Sequence, residues 1–180
     1  MNTVFKILIF ISSFIPMEIM LFIKNMNELS IAHLCVTYNK NRFFWIVTLV
    51  LTIISFITLL IWLRVIKKEA SSNGKKYFLG EISSQDGEVL SYFVTYIYPL
   101  MELDLSSNSS ILVNLFLIIV QGVFFVRNNT LHFNVLLLLL GFRIYSDDSE
   151  NIIISQKPKY EIVNKKLKVD QIGTSNIYYI

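Results

Sequence analysis

The chain has 180 residues, of which 54% are hydrophobic and 16% are charged, and its mean hydropathy is +0.57. Soluble domains average about 45–50% apolar and about 25% charged residues, so this composition is typical of a membrane protein. The single cysteine, Cys35, excludes an intrachain disulfide framework, and no Cys and His spacing predicts a metal site. The net charge of +3 is small, and basic residues beside apolar runs favour contact with anionic lipid over direct binding of nucleic acid.

Two apolar runs, residues 4–23 and 43–63, are long enough to cross a bilayer. A crossing helix needs ~20 residues, because the hydrocarbon core is ~30 Å thick and each residue rises ~1.5 Å. The first run could be a secretory signal, but Pro16, Met17 and Glu18 stand where a cleavage site of small residues should follow. We therefore predict an uncleaved first span.

Two shorter runs, residues 88–103 with Pro99 inside and residues 109–127, are predicted as the third and fourth spans. The apolar stub at 131–142 reaches only about 18 Å as a helix, which is too short for a crossing. It is expected to lie in the interface or to pack as a re-entrant helix. The sequence thus predicts an α-helical membrane protein with about four transmembrane helices within residues 1–142.

The basic residues of the short loops predict the orientation of these spans. More of them fall on the side of the two termini than on the opposite side, and Lys and Arg are enriched in cytoplasmic loops. The prediction is a multi-pass membrane protein with cytoplasmic N- and C-termini. The side of the two termini carries Lys6, Arg64, Lys67, Lys68, Lys75 and Lys76, and the opposite side carries Lys24, Lys40 and Arg42.

Beyond Gly141 the pattern changes to short runs typical of strands, separated by turn residues. Fewer than about 40 residues seldom fold alone, so a second segment is needed. The loop at 67–88 can supply it, because Tyr77, Phe78, Leu79 and Ile82 also read as a strand. We predict one cytosolic β-rich module formed by residues 143–180 together with 67–88. The runs are 143–145, 152–154, 160–163, 167–169 and 177–180.

The sequence contains no nucleophile paired with a base, no zinc-binding helix motif and no glycine loop for phosphate. It therefore predicts a protein that is not an enzyme and uses no cofactor.

Several polar residues lie inside the predicted spans. Glu18 is the one carboxylate at such depth, and it is expected either to reach outward to the interface or to face a subunit contact or water path. Thr48, Thr52 and Ser55 share one face of the second span, which predicts a packing seam between helices.

The fourth span has a similar pattern. Asn114 and Gln121 lie seven residues apart and share a helix face, and Gly122 admits the close approach of another helix. Hydrogen bonding between helices is one interpretation of this face. The other is an ion channel or transporter subunit, in which Glu18, Asn114 and Gln121 would line a path.

The C-terminal tail is rich in lysines that alternate with apolar residues. This pattern predicts either a solvated strand face near anionic lipid or a docking surface for a cytosolic partner, to which Tyr77 would contribute. The lysines are Lys157, Lys159, Lys165, Lys166 and Lys168.

Two motifs carry a resemblance to a known family: Thr95-Tyr96-Ile97-Tyr98-Pro99-Leu100 and Leu140-Gly141-Phe142-Arg143-Ile144-Tyr145, with a leucine-rich span between them. In order and spacing they resemble the membrane subunit family, KwaA, of the Kiwa bacterial antiphage system. The likeness covers mostly residues 88–180, and the first two spans agree only in hydropathy.

The resemblance implies a homo-oligomeric sensor of the bacterial inner membrane, expected to be a tetramer, that responds to envelope disturbance when phage attaches. It further implies a cytosolic DNA-binding partner, KwaB, which acts on phage DNA. The resulting hypothesis is a non-enzymatic sensor or scaffold in which Pro99 kinks a mobile third span. A constitutive membrane anchor whose tail recruits a partner is a third possibility.

Overall fold

The computed structural model describes residues 3–26, 28–72, 76–78, 81–128, 130, 132–165, 167–172 and 176–180. The chain forms two compact units. The helical unit comprises Met1–Thr58 and Phe93–Leu131, and the sheet unit comprises Leu59–Tyr92 and His132–Ile180.

Along the described part of the chain, four helices are followed by two strands, three helices, two strands, one helix and two strands. The helices are α1 Thr3–Ser12, α2 Ile15–Lys24, α3 Ile31–Lys40, α4 Arg42–Ser72, α5 Asp86–Met101, α6 Asn108–Arg127, α7 Val135–Leu139 and α8 Lys159–Asn164. The strands are β1 Lys76–Phe78, β2 Ile82–Ser84, β3 Arg143–Asp147, β4 Ile152–Ser155, β5 Lys168–Gln171 and β6 Ile177–Tyr179.

Among the described residues, two helices are long and apolar enough to cross a membrane, within Arg42–Ala70 and Asn108–Arg127. The pair α1 and α2 adds a third candidate if it is one bent span. The prediction of a mostly helical chain with a small β-rich part is confirmed, whereas four crossings stay a prediction. The third predicted span, 88–103, is the 16-residue helix α5, about 24 Å long and shorter than the hydrocarbon core.

The predicted first span is a pair of helices bent by 44° rather than one straight helix. Ser12 and Ser13 lie at the break, and their hydroxyls donate to the carbonyls of Ile9 at 2.7 Å and Phe10 at 2.6 Å. Such bonds compete with the backbone hydrogen bonds of a helix. Pro16 lacks a backbone N–H and is tolerated in the first turn of α2, so the chain restarts as a new helix there.

Helix α4 changes its surface at Leu59. From Leu59 onward the buried side chains recur every three or four residues, as expected for an amphipathic helix. Before Leu59 large apolar side chains are exposed instead, including Phe43, Leu49, Val50, Ile53 and Ile57. One unbroken helix therefore carries two different kinds of surface.

The sheet has six described strands in the order β1-β5-β6-β4-β3-β2. Strand β4 pairs with β6 in parallel, and the other neighbours are antiparallel. Strands β1 and β2 form the two edges, so the segment before α5 completes a sheet whose inner strands come from the C-terminal tail. Its core contains Ile82, Tyr145, Ile153, Ile162 and Val169. Leu79, part of the strand prediction, lies outside the described residues.

The strand predicted at 160–163 is wrong, because these residues belong to helix α8. Pro158 precedes the helix in an extended conformation, and its carbonyl accepts from the amide of Glu161 at 3.0 Å. Lys165 and Glu161, four residues apart, form an ion pair at 2.8 Å, a spacing that stabilises helices. The tail lysines therefore do not share one strand face.

Within the apolar stub at 131–142, the described residues form the five-residue helix α7. Its Val135, Leu136 and Leu137 are buried. Gly141 then adopts a φ of +82°, a conformation that suits glycine, and the chain turns into β3. The apolar character of the stub is thus largely used in packing.

His132 precedes this helix and is buried, with its ring edge-on to Phe133 at a centroid distance of 4.5 Å. Its Nδ1 has no hydrogen-bond partner among the described residues. Burial lowers the pKa of His132 to about 4, because an imidazolium would lose its hydration there.

This burial predicts a loss of stability in acid. The unfolded state binds a proton below its pKa of about 6.5, and the folded state does so only near pH 4, so the free energy of unfolding falls across that window. His132 contributes at most about 1.4 kcal/mol per pH unit to the slope of the free energy of unfolding against pH. Unfolding titrations between pH 7 and 4 should show a shallower acid loss for His132→Phe than for wild type. His33→Gln, at a partly exposed histidine, should keep the steeper loss, and equal curves for all three proteins would contradict this assignment.

Candidate functional site

A cavity of about 310 Å³ lies in the helical unit, and its lining is mainly apolar. Helices α2 and α4 provide most of the wall, and Tyr38 of α3 provides the rest. Three of the predicted positions, Glu18, Thr48 and Thr52, line this cavity. The lining consists of Ile15, Glu18, Ile19, Phe22, Ile23, Tyr38, Trp45, Thr48, Leu49 and Thr52.

The hydroxyl of Thr52 donates to the carboxylate of Glu18, which joins α2 to α4. The same hydroxyl also lies 2.8 Å from the carbonyl of Thr48, and because it has one proton it serves one acceptor at a time. Among the described residues, the hydroxyls of Thr48 and Ser55 bond to carbonyls of α4 itself. Of the predicted seam, Thr52 is therefore the residue that reaches another helix.

An aromatic cluster borders this cavity. Trp45 is buried and its ring lies 4.8 Å from the ring of Phe22, in an edge-on arrangement. Leu21 and Leu103 pack in the same cluster. It ties α4 to α2 and to the segment after α5.

Helix α3, which sequence reasoning treated as a loop, supplies Tyr38 to the cavity. Ser30 caps it by accepting from the amide of His33 at 3.4 Å. A serine before an apolar run is a helix-start signal and could have revealed this helix.

Some acceptor atoms on the predicted polar face of α6 have no hydrogen-bond partner among the described residues. The Asn114 amide donates to the Ser110 carbonyl at 2.9 Å, but its Oδ1 and the Oε1 of Gln121 are buried without partners among the described residues. Gly122 faces α1, because a Cβ built there would lie 3.1 Å from the ring of Phe10. The glycine thus permits close packing of α1 on α6.

A second cavity, of about 550 Å³, lies at the N-terminal end of α6 and includes Asn114. It shares no lining residue with the first cavity. Glu18 and Asn114, which the channel interpretation put on one path, therefore line separate cavities within one chain.

The tail presents a mixed basic and apolar surface around α8. Tyr160 is 69% exposed and Val163 is 49% exposed, between the exposed Lys159 and Lys165. Sequence reasoning missed both apolar residues because it treated the run as a strand. The ion pair with Glu161 raises the pKa of Lys165 and lowers that of Glu161.

The remaining predicted tail positions are more dispersed. Lys168 is exposed on β5, Lys157 is half-buried before α8, and Lys166 lies outside the described residues. The backbone of Tyr77 pairs with Val169 in the sheet. Pro99 lies within helix α5.

Together these features define a mostly helical protein with two helices capable of crossing a membrane and a small mixed sheet. A model of the KwaA family of anti-phage proteins matches residues 5–179 of the chain. The chain belongs to this family, which confirms the resemblance seen in its sequence.

One relative is the Kiwa protein KwaA of Escherichia coli O55:H7, which is 30% identical over 104 residues. The matched stretch covers 53% of this chain and 48% of the relative, about half the length of each. No solved structure matches the chain.

The contact between α2 and α4 is testable with a double-mutant cycle. Glu18→Met and Thr52→Val each remove one partner of the hydrogen bond, so we expect a coupling energy of about 1–3 kcal/mol in the free energy of unfolding in micelles. Thr48→Val is the matched control, since the Thr48 hydroxyl bonds to carbonyls of α4 among the described residues, and its coupling to Glu18→Met should stay below about 0.5 kcal/mol. Equal coupling in both cycles would contradict the assigned contact.

Proposed function

We propose that this anti-phage protein is a non-enzymatic subunit of the bacterial inner membrane that senses envelope disturbance and engages a cytosolic DNA-binding partner, KwaB. Membership of the KwaA family and the two candidate spans support this proposal. The sheet unit would face the cytoplasm with both termini.

The observation that carries the proposal is the change of surface along α4. The exposed apolar side chains before Leu59 are unfavourable in water and suit lipid. Beyond Leu59 the exposed positions include the basic residues Arg64, Lys67 and Lys68, which suit the cytoplasmic boundary of a membrane. Two apolar residues, Ile61 and Val65, are also exposed in this part of the helix. The helix thus has the surface expected of a span that continues into the cytoplasm.

Helix α4 also offers a means of transmitting a change in the bilayer to the sheet unit. It has 31 residues and a length of about 46 Å, which exceeds the ~30 Å hydrocarbon core. Its sequence contains no glycine or proline that would interrupt it. Residues 59–72 belong to the sheet unit, where the Lys67 ammonium lies 5.6 Å from the centre of the Phe142 ring. A bilayer change that tilts or rotates α4 would act on the sheet unit.

Assembly into a homo-oligomer, a tetramer in the family resemblance, is part of the same proposal. The buried Oε1 of Gln121 has no partner among the described residues, and a neighbouring subunit could provide one. Helix α6 also exposes apolar side chains, among them Leu112, Phe116 and Val123, that lipid or another subunit would cover.

Pro99 is the proposed mobile point, because proline removes one backbone hydrogen bond from helix α5. Replacing it with alanine favours a straight helix by up to about 3 kcal/mol. In cells that also produce KwaB, we expect Pro99→Ala to raise phage plating by about tenfold or more, since tenfold corresponds to about 1.4 kcal/mol. Val94→Ala, at an exposed position of the same helix, should protect as wild type does.

Alkaline extraction of membranes from the same cells distinguishes a failure of the proposed membrane location from a failure of the mobile-helix mechanism. A wild-type chain released by alkali would refute the membrane location itself. If Pro99→Ala stays in the membrane and protects fully, the mobile-helix mechanism is wrong.

Partner docking is assigned to the tail surface that includes Lys159, Lys165 and Lys168. The double charge reversal Lys159→Glu and Lys168→Glu should weaken capture of purified KwaB by the full chain at least about tenfold, because opposite potentials would become like ones. Lys40→Glu with Arg42→Glu makes the same change of charge on the side predicted to be external. That control should bind KwaB normally, and equal weakening by both pairs would show a non-specific charge effect.

A further inference from the structure

Helix α3 carries apolar side chains on the side that faces away from the protein. Thr37 is 5% exposed, and its hydroxyl donates at 3.4 Å to the carbonyl of Asn25, at the end of α2. Ile31, Cys35 and Val36 point away from this contact and are exposed. A helix whose outer side meets water has the opposite arrangement, with polar residues outward and apolar residues inward.

The exposed apolar surface extends beyond α3 at both ends. Leu29, just before the helix, and Ile31, in its first turn, are each 82% exposed. Phe43, in the first turn of α4, is 83% exposed. A single residue, Asn41, separates α3 from α4. The apolar surface of α3 is therefore continuous along the chain with the part of α4 that lipid is proposed to cover.

The contacts of α3 place it beside the first turns of α4 rather than far from them. Tyr38 packs against the cluster that contains Trp45, and both residues line the first cavity. Trp and Tyr are the residues typical of the headgroup level of a bilayer. If α4 crosses the membrane, α3 lies at this level, where acyl chains give way to headgroups.

The charged residues next to this surface suit phospholipid headgroups. Lys40 ends α3, Arg42 begins α4, and both are exposed. Their cationic groups can contact phosphates while their side-chain stems cover apolar surface. Asn39, an exposed polar residue of α3, lies beside Lys40 at the same end of the helix. This combination of apolar and basic residues is typical of helices that lie in a membrane interface.

We propose that α3 is an interfacial helix, which lies along the external leaflet and inserts the apolar surface formed by Leu29, Ile31 and Val36 among the phospholipids. Because Tyr38 joins this helix to the cluster around Trp45, a disturbance of that leaflet acts on the first turns of α4. The inference rests on the proposed membrane location and orientation. It adds to the proposed sensing function the place where the stimulus enters.

The single cysteine makes the depth of α3 measurable in the full chain. Cys35 is exposed on this helix, so a nitroxide spin label attached there reports on its surroundings in phospholipid bilayer discs. Its collisions with oxygen, which concentrates among acyl chains, and with a water-soluble nickel complex give its depth. Two reference variants carry the label elsewhere in a Cys35→Ala background. They are Val50→Cys, in the apolar part of α4, and Ser149→Cys, in the exposed turn between β3 and β4.

We expect the nickel complex to collide with the label at Cys35 at least about tenfold less often than with the label at Ser149→Cys, because the exposed apolar side chains favour insertion. Equal collision at the two positions would overturn the proposal by showing α3 in water. Shielding of Cys35 from both oxygen and nickel would overturn it in favour of a contact with another subunit. If Val50→Cys is also open to nickel, the membrane location fails as well.

Charge placed on the apolar surface tests whether that surface holds the helix in the leaflet. Ile31→Glu with Val36→Glu should raise nickel collisions at Cys35 to the level of Ser149→Cys, whereas Asn39→Glu, at an exposed polar position, should leave them low. A label that stays shielded in the double variant would overturn the role of the apolar surface.

The same variants test the sensing route in cells that also produce KwaB. The double variant should raise phage plating by about tenfold or more, while Asn39→Glu protects as wild type does. Alkaline extraction should leave both variants in the membrane. Full protection by a double variant whose label has moved into water would overturn the entry of the stimulus at α3.

Discussion

Apolar helix surface has to be covered by something other than water, and this requirement acts differently on the two parts of helix α4. Before Leu59 the helix leaves Phe43, Val50 and Ile53 exposed, so their cover has to come from outside the chain. After Leu59 the chain buries one apolar face, which includes Trp62 and Ile66, and exposes basic residues beside Ile61 and Val65. The proposed membrane location, the direction of the helix and the proposed route of transmission all depend on this one change.

Hydropathy could predict the features that depend on this requirement alone. The runs at 43–63 and 109–127 are found as the long helices α4 and α6. The first span was harder to predict, because the break at Ser12 and Ser13 arises from local hydroxyl bonds that a hydropathy average does not register. The run around Pro99 had a clear pattern but too few residues to decide whether it crosses.

Short elements depend on contacts that no local pattern contains. Residues 160–163 contain β-branched and aromatic residues typical of strands, yet Pro158 and the Glu161 to Lys165 pair favour a helix there. Strands β1 and β2 could be anticipated only in outline, since their partners lie more than 60 residues away along the chain. The same limit applied to the candidate sites, where Thr52 was distinguishable from Thr48 only by its contact with Glu18.

The polar residues of the helical unit form two groups, according to whether their side chains find hydrogen-bond partners among the described residues. Thr48 and Ser55 are satisfied within their own helix, and Thr52 is satisfied across to α2, so these residues fix the packing of one chain. Asn114 and Gln121 keep buried acceptors that the described residues do not satisfy. Because an unmet buried acceptor costs about 1–3 kcal/mol, such positions favour a second subunit. The unsatisfied face of α6, rather than the polar face of α4, is therefore where assembly is expected.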